Sequence, residues 1–261
     1  MSSTLTQSVL SLNSITSALK SVTEGGSDSS VSQLQTTLAQ ITAIVSDLQT
    51  EGKAFVTSTT EAISKIKPEE AAKPSTYSDL LKNSVAGFSA TVDSAIQTIA
   101  PLKDSVVSSG NLLQTTIAGL TSQLSSLQST LASNQASLNK AQKSYSLLSG
   151  LGSLAGLSGL SGALDLVKKW QGVITANQQT FQDLQTALTE KNQLVGLLSS
   201  ANSSIADIYN ILPGLSDTLH FLQNDLANLA SGVNEDSSAS AVPVIVTTIT
   251  GALAELNAAL S

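Results

Sequence analysis

From Leu81 to Leu148 apolar residues recur in alternating steps of four and three. The stations are Leu81, Val85, Phe88, Val92, Ala95, Ile99, Leu102, Val106, Leu113, Ile117, Leu120, Leu124, Leu127, Leu131, Leu138, Ala141, Tyr145 and Leu148, with Gly110 and Asn134 as the weak ones. A seam of this period is the a/d stripe of a coiled coil, so it dictates one long helix. Taken from Ser78 to Leu148, that helix measures about 105 Å at 1.5 Å per residue, too long for a compact globule. An elongated, all-α protein is expected.

The rest of the chain repeats the theme. Leu5, Val9, Leu12, Leu19 and Val22 predict an N-terminal helix. Val31, Leu34, Leu38, Ile41, Val45, Leu48, Phe55, Ala62 and Ile66 predict a second, entered at Asp28 or Ser29 after Gly25-Gly26. Another long seam runs through Leu164, Val167, Ile174, Phe181, Leu184, Leu188, Val195, Leu198, Ala201, Ile205, Ile208 and Leu212. Pro213-Gly214 is expected to interrupt it before Leu215, Leu219, Leu222, Leu226, Leu229 and Val233. A weaker stripe at Ile245, Ile249, Leu253, Leu256 and Leu260 closes the chain. Lys67–Pro74 reads as a turn and Asn234–Ser240 as a loop. If the chain reverses between Leu148 and Leu164, Pro101 and Pro213 fall at nearly the same height on antiparallel neighbours. The predicted fold is therefore an elongated antiparallel helical bundle with long coiled-coil-like helices and an apolar Gly-rich tip at mid-chain. Residues 1–148 and 164–261 form the bundle, and 149–163 form the tip within the same domain.

Composition narrows the function. Charged residues are only 12 % of the chain, the net charge is −7, and every one of the twelve basic residues is a lysine. Without arginine and with an acidic balance, nucleic acid is not an expected partner. There is no cysteine and one histidine, His220, so thiol catalysis, zinc sites and His-based triads lack their residues. No catalytic residue, metal site, cofactor or small-molecule substrate is expected, and the chain is not read as an enzyme. From Ser105 to Asn139 there is no charge at all, which removes the e/g ion pairs that usually set coiled-coil partners. Stability has to come from the buried seam.

The most informative segment is Ser144–Leu164. It holds no charge, seven leucines (Leu147, Leu148, Leu151, Leu154, Leu157, Leu160, Leu164) and five glycines (Gly150, Gly152, Gly156, Gly159, Gly162). Its length approaches the roughly 20 residues that span a bilayer, but glycine and serine dilute it, so it is not a constitutive anchor. Lys140, Lys143 and Tyr145 flank one side, and Lys168, Lys169 and Trp170 the other. Lysines and aromatic rings favour a membrane interface, and flanks on antiparallel helices, both on the same side of the bilayer, suit a hairpin dipping in better than a single crossing. The glycines offer faces for close helix contact in lipid. The plainer reading is a flexible corner whose leucines fold back over the bundle end. An apolar end on a soluble rod would still call for a partner, lipid or protein.

Other signals are weak. Gly150-Leu-Gly152-Ser-Leu-Ala155 fits a dinucleotide fingerprint, but without the preceding strand that gives it meaning. His220 reads as a surface or partly packed residue on a helix. Glu69-Glu70 and Glu235-Asp236 fall in turns and read as solvation. The sequon at Asn202 lies on a predicted helix and reads as chance. The N-terminus lacks the basic and apolar regions of a secretory signal.

Long heptad helices, an apolar Gly-rich segment near the chain centre and the absence of cysteine together resemble the cytolysin A superfamily of α-helical pore-forming toxins. That family includes the components of haemolysin BL and non-haemolytic enterotoxin. The resemblance implies a soluble protein that meets a target-cell membrane and oligomerises there, with itself or with further components. It implies that Leu147–Leu164 is the membrane-inserting tongue and Leu5–Val22 a mobile helix. It also implies secretion by a route not visible in the sequence, or release from the cytoplasm. The alternative is a non-enzymatic structural or interaction coiled coil that docks a protein partner through the same apolar tip.

Overall fold

The computed structural model describes residues 4–23, 29–67, 70, 73–150, 157–232 and 238–261. They form five helices: α1 (Leu5–Thr23), α2 (Ser29–Ser64), α3 (Pro74–Gly150), α4 (Leu157–Gly232) and α5 (Ser238–Leu260). Local chemistry sets the starts. Thr4 and Gln7 exchange side chain and backbone, Gln7 N–H donating to Thr4 Oγ1 and Thr4 N–H to Gln7 Oε1, each at 3.3 Å, a reciprocal cap for α1. Pro74 opens α3, where its missing N–H costs nothing. Before it, Glu70 N–H donates to Lys67 O and Lys73 N–H to Glu70 O, turn bonds within the expected Lys67–Pro74 turn. Two helices run further than expected. α4 passes straight through Pro213-Gly214 and α5 starts at Ser238, inside the expected Asn234–Ser240 loop. An interior proline costs a helix about 3 kcal/mol. Around Pro213 the loss is offset by four leucines with at most 2 % exposure: Leu212, Leu215, Leu219 and Leu222.

The chain divides into two compact units, Met1–Gly110 with Leu197–Ser261, and Asn111–Gly196. In the first, α1, α2 and α5 join the early part of α3 and the late part of α4. Phe55 of α2 stacks on Phe88 of α3 with centroids 5.2 Å apart, and Thr91 donates to Glu51 Oε2 at 2.9 Å. Ser216 donates to Asp93 at 3.0 Å, and Lys103 Nζ lies 4.8 Å from the Tyr209 ring centroid. As α3 advances from 93 to 103, its partner recedes from 216 to 209, so α3 and α4 are antiparallel. Pro101 and Pro213 lie within a few residues of the Lys103–Tyr209 pair, so the two helix interruptions occupy neighbouring levels. The seam stations Leu12, Leu38, Ile41, Val92, Ile99, Ile205, Ile208 and Leu212 are sealed from solvent.

The second unit is two helical segments, 111–150 and 157–196, each about 60 Å long. Between Gly150 and Leu157 the chain has at most about 25 Å to travel, so two such segments in one compact unit lie side by side and antiparallel. Their stations are spaced as perfectly as those of the first unit but only half covered, Ile117, Leu120, Leu124, Leu127 and Leu131 among them. Two helices can shield an a/d stripe only from each other, whereas a five-helix bundle closes over it. Leu124→Ala is therefore expected to cost about 1–2 kcal/mol in urea unfolding, below the usual core range, and Ser125→Ala less than about 0.5 kcal/mol.

The outer faces satisfy their hydroxyls internally. Thr115, Thr121, Thr130, Thr175, Thr180 and Thr186 each donate Oγ1 to the carbonyl four residues back, at 2.8–3.1 Å. Lys65–Glu61, at 3.6 Å, is an exposed pair on one helix and contributes little.

Candidate functional site

The helical arms extend deeper into the apolar segment than the expected tip at 149–163. α3 continues to Gly150 and α4 begins at Leu157. Leu151, Gly152, Leu154 and Gly156 lie outside the described residues, as does most of the Gly150–Ala155 fingerprint. Leu157, Gly159 and Leu160 fall in the first turn of α4. Glycine in a helix costs up to about 1 kcal/mol against alanine, and the seam supplies the compensation. Its station here is Ala163, 7 % exposed, one residue from the expected Leu164. From Ala163 the stripe steps through Val167, Trp170, Ile174, Asn177 and Phe181, an unbroken heptad phase.

That phase decides what faces water. Leu147 is 72 % exposed, Leu166 51 % and Leu164 36 %. Leu148 is half-buried on the seam, and Gly150 and Gly162 are exposed, with open space where a Cβ would stand. Lys140, Lys143, Lys168 and Lys169 are all exposed on the same two helices. Tyr145 and Trp170 are half-buried seam residues, each with part of its ring covered. Sequence reading passed over Leu166, because a seam phased on Leu164 and Val167 leaves no role for it. Its signal is that it flanks the Ala163–Val167–Trp170 stripe next to Asp165, an apolar residue on a polar face. Among the described residues no helix is long and apolar enough to cross a membrane.

Among the described residues no three His, Cys, Asp or Glu side chains cluster to hold a metal ion. His220 does belong to a polar string that the sequence did not suggest. Its Nδ1 lies 3.3 Å from Ser216 Oγ, which donates to Asp93 at 3.0 Å. Ser216 spends its only proton on the carboxylate, so the imidazole has to be the donor toward it. A nucleophilic triad needs the reverse, with histidine accepting from serine and the carboxylate behind the ring. The string ties α3 to α4. Asn202 carries a buried Oδ1 without a partner on α4, which is no place for a glycan.

No family profile and no curated protein matches the chain. Solved structures match its fold. The soluble AhlC triple head mutant of the tripartite α-pore-forming toxin AHL from Aeromonas hydrophila aligns over 98 % of this chain and 97 % of its own. The TM-score is 0.79 at 17 % identity. The pre-pore form of AhlB from the same toxin aligns over 97 % and 92 %, with a TM-score of 0.62 and 12 % identity. The SmhB pore of the tripartite toxin Smh from Serratia marcescens aligns over 98 % and 95 %, at 0.58 and 14 %. The chain has the all-helical fold of α-pore-forming toxin components.

Proposed function

We propose that the protein is a component of an α-helical pore-forming toxin, water-soluble before use. It meets a target membrane through the apolar end of its Asn111–Gly196 unit and assembles there with further copies or other components. The observation that carries the reading is the exposure of Leu147 near the end of α3 and of Leu164 and Leu166 near the start of α4, with the exposed Lys140, Lys143, Lys168 and Lys169 close by on the same helices. It falls on a fold that a soluble toxin component shares over almost the whole chain. Exposed leucines with lysines nearby on the same helices match the boundary between hydrocarbon and headgroups. Half-buried Tyr145 and Trp170 brace the arms at that level. The glycines Gly150, Gly152, Gly156, Gly159 and Gly162 let Leu147, Leu148, Leu151, Leu154, Leu157, Leu160 and Leu164 enter as a close-packed hairpin.

A vesicle experiment tests this. The double variant Leu147→Asp/Leu166→Asp is expected to lose vesicle flotation and dye leakage by more than about a hundredfold, since each aspartate in the membrane costs about 3 kcal/mol. Phe221→Asp, at an exposed site in the other unit, is expected to behave as the unmodified protein. Equal behaviour of both variants would exclude membrane entry at this end. Absence of flotation even for the unmodified protein, with capture of a protein partner by the same end, would favour a docking coiled coil.

A further inference from the structure

We propose that the groove between α2 and α3 receives Leu10 of a second copy of this chain, so that copies join side by side through two different faces. The groove has a volume of about 410 Å³ and opens between antiparallel helices, since Glu51 meets Thr91 and Phe55 meets Phe88. Its α3 wall holds nothing larger than threonine: Ala90, Ser94, Ala95 and Thr98 face Ile44 and Leu48 of α2. Leu48 and Ala95 are buried and give it an apolar floor. Asp47 stands exposed on its rim, and Glu51, exposed one turn further along α2, is held by Thr91 of the opposite wall. Two like charges one turn apart repel, so this rim favours a partner without carboxylates. Among the described residues, no basic side chain and no part of α1 lines the groove.

Leu10 is the matching projection. It is 64 % exposed on α1, with the uncharged Gln7, Asn13 and Ser14 exposed around it. Its height follows from the bond that Gln49 Nε2 donates to Thr6 Oγ1 at 2.7 Å, which sets Thr6 level with Gln49. α1 packs on α2 in the antiparallel sense. In a parallel pair Thr23 would stand level with Ile66, about 55 Å from Ser29, beyond the roughly 20 Å that the chain between them spans. Leu10, four residues past Thr6, therefore stands level with Val45, between the groove residues Ile44 and Leu48. The first residue of α1 stands level with Thr50, next to Glu51. A neighbour displaced sideways without axial slip thus brings Leu10 to the groove and the positive end of the α1 dipole to the height of the carboxylates. Charge favours the same fit, because among the described helices α1 alone carries no Asp or Glu. The two faces differ, so each copy offers one of each to the next, and contacts without slip close into a ring instead of a rising filament. The ring rests on the pore-forming reading above, whereas the pairwise contact does not.

The chain has no cysteine, so introduced thiols test the contact directly. Leu10→Cys and Thr98→Cys, both at exposed positions, are made as separate full-length proteins and mixed. The mixture is treated with a short bis-maleimide, with and without phosphatidylcholine vesicles. It is expected to give at least about tenfold more linked dimer than either variant alone, because each alone supplies a thiol on only one of the two faces. The double variant Leu10→Cys/Thr98→Cys is expected to give a series of longer linked chains. Equal yields from the mixture and from Leu10→Cys alone would show a symmetric contact through α1. No excess in either arm would show that copies do not use this groove, and either result overturns the proposal. Flotation of the same samples is read separately. Linking in solution without flotation keeps the contact and removes the membrane reading, and flotation without linking does the reverse.

Discussion

Ile208→Asp is expected to destabilise the protein by about 4 kcal/mol or more, whereas Asn210→Asp two residues away stays within about 0.5 kcal/mol. Ile208 is fully buried on the α4 seam, between Ile205 and Leu212, which are equally sealed. A carboxylate there finds neither water nor a cation. Lys103 of α3 already lies over the ring of the neighbouring Tyr209. Such a charge enters protonated or drags the helix outward, and either route forfeits the packing of the level that also carries two prolines. Asn210 points to solvent on the same turn, so the pair separates burial from helix propensity. Urea unfolding followed by circular dichroism checks both. Similar values for the two would mean that the seam of α4 is misassigned.

Phe88→Ala is expected to cost about 3–5 kcal/mol, and to reverse the sign of a second substitution. Phe88 is buried, stacks on Phe55 and reaches with Cζ into the space above Gly52. In the intact protein Gly52→Ala forces Phe88 or Leu260 to move and is expected to cost about 1–3 kcal/mol. Once Phe88 is alanine, the new methyl has room and fills part of the void, so Gly52→Ala becomes stabilising on that background. A double-mutant cycle in urea reads this coupling directly. Additive costs would show that Gly52 is not the slot described.

These tests address the level at which the sequence was legible. The stations of α2, early α3 and α4 from Leu198 to Leu222 could be read from the spacing, because a leucine every three or four positions has no other reading than a buried stripe; of the later ones, Val233 lies outside the described residues. α1 emerged within one residue of its expected end for the same reason. What escaped were features set by small or breaker residues. Gly52 carries no apolar signal, yet it is buried and receives Leu260. Pro213-Gly214 looks like a stop when propensity is weighed alone, and only the four leucines around it show why the helix continues. At the start of α4 the choice between Ala163 and Leu164 turned on size, and the larger residue was the wrong station. That one-residue shift puts Leu164 outside and brings Leu166 into view. Tyr145 and Trp170 are half-covered by the seam, which their aromatic character alone could not reveal. The polar string through Ser216 needed coordinates, because nothing in the spacing of Asp93, Ser216 and His220 links them.

The threonines that turn their hydroxyls back onto their own helices have a consequence for the conditions this molecule tolerates. A coat of internally satisfied hydroxyls holds without Coulombic attraction and so leaves added electrolyte little to screen there. The fold is accordingly expected to keep its urea midpoint between dilute and moderate salt, and a strong dependence would show that charge pairs hold it together.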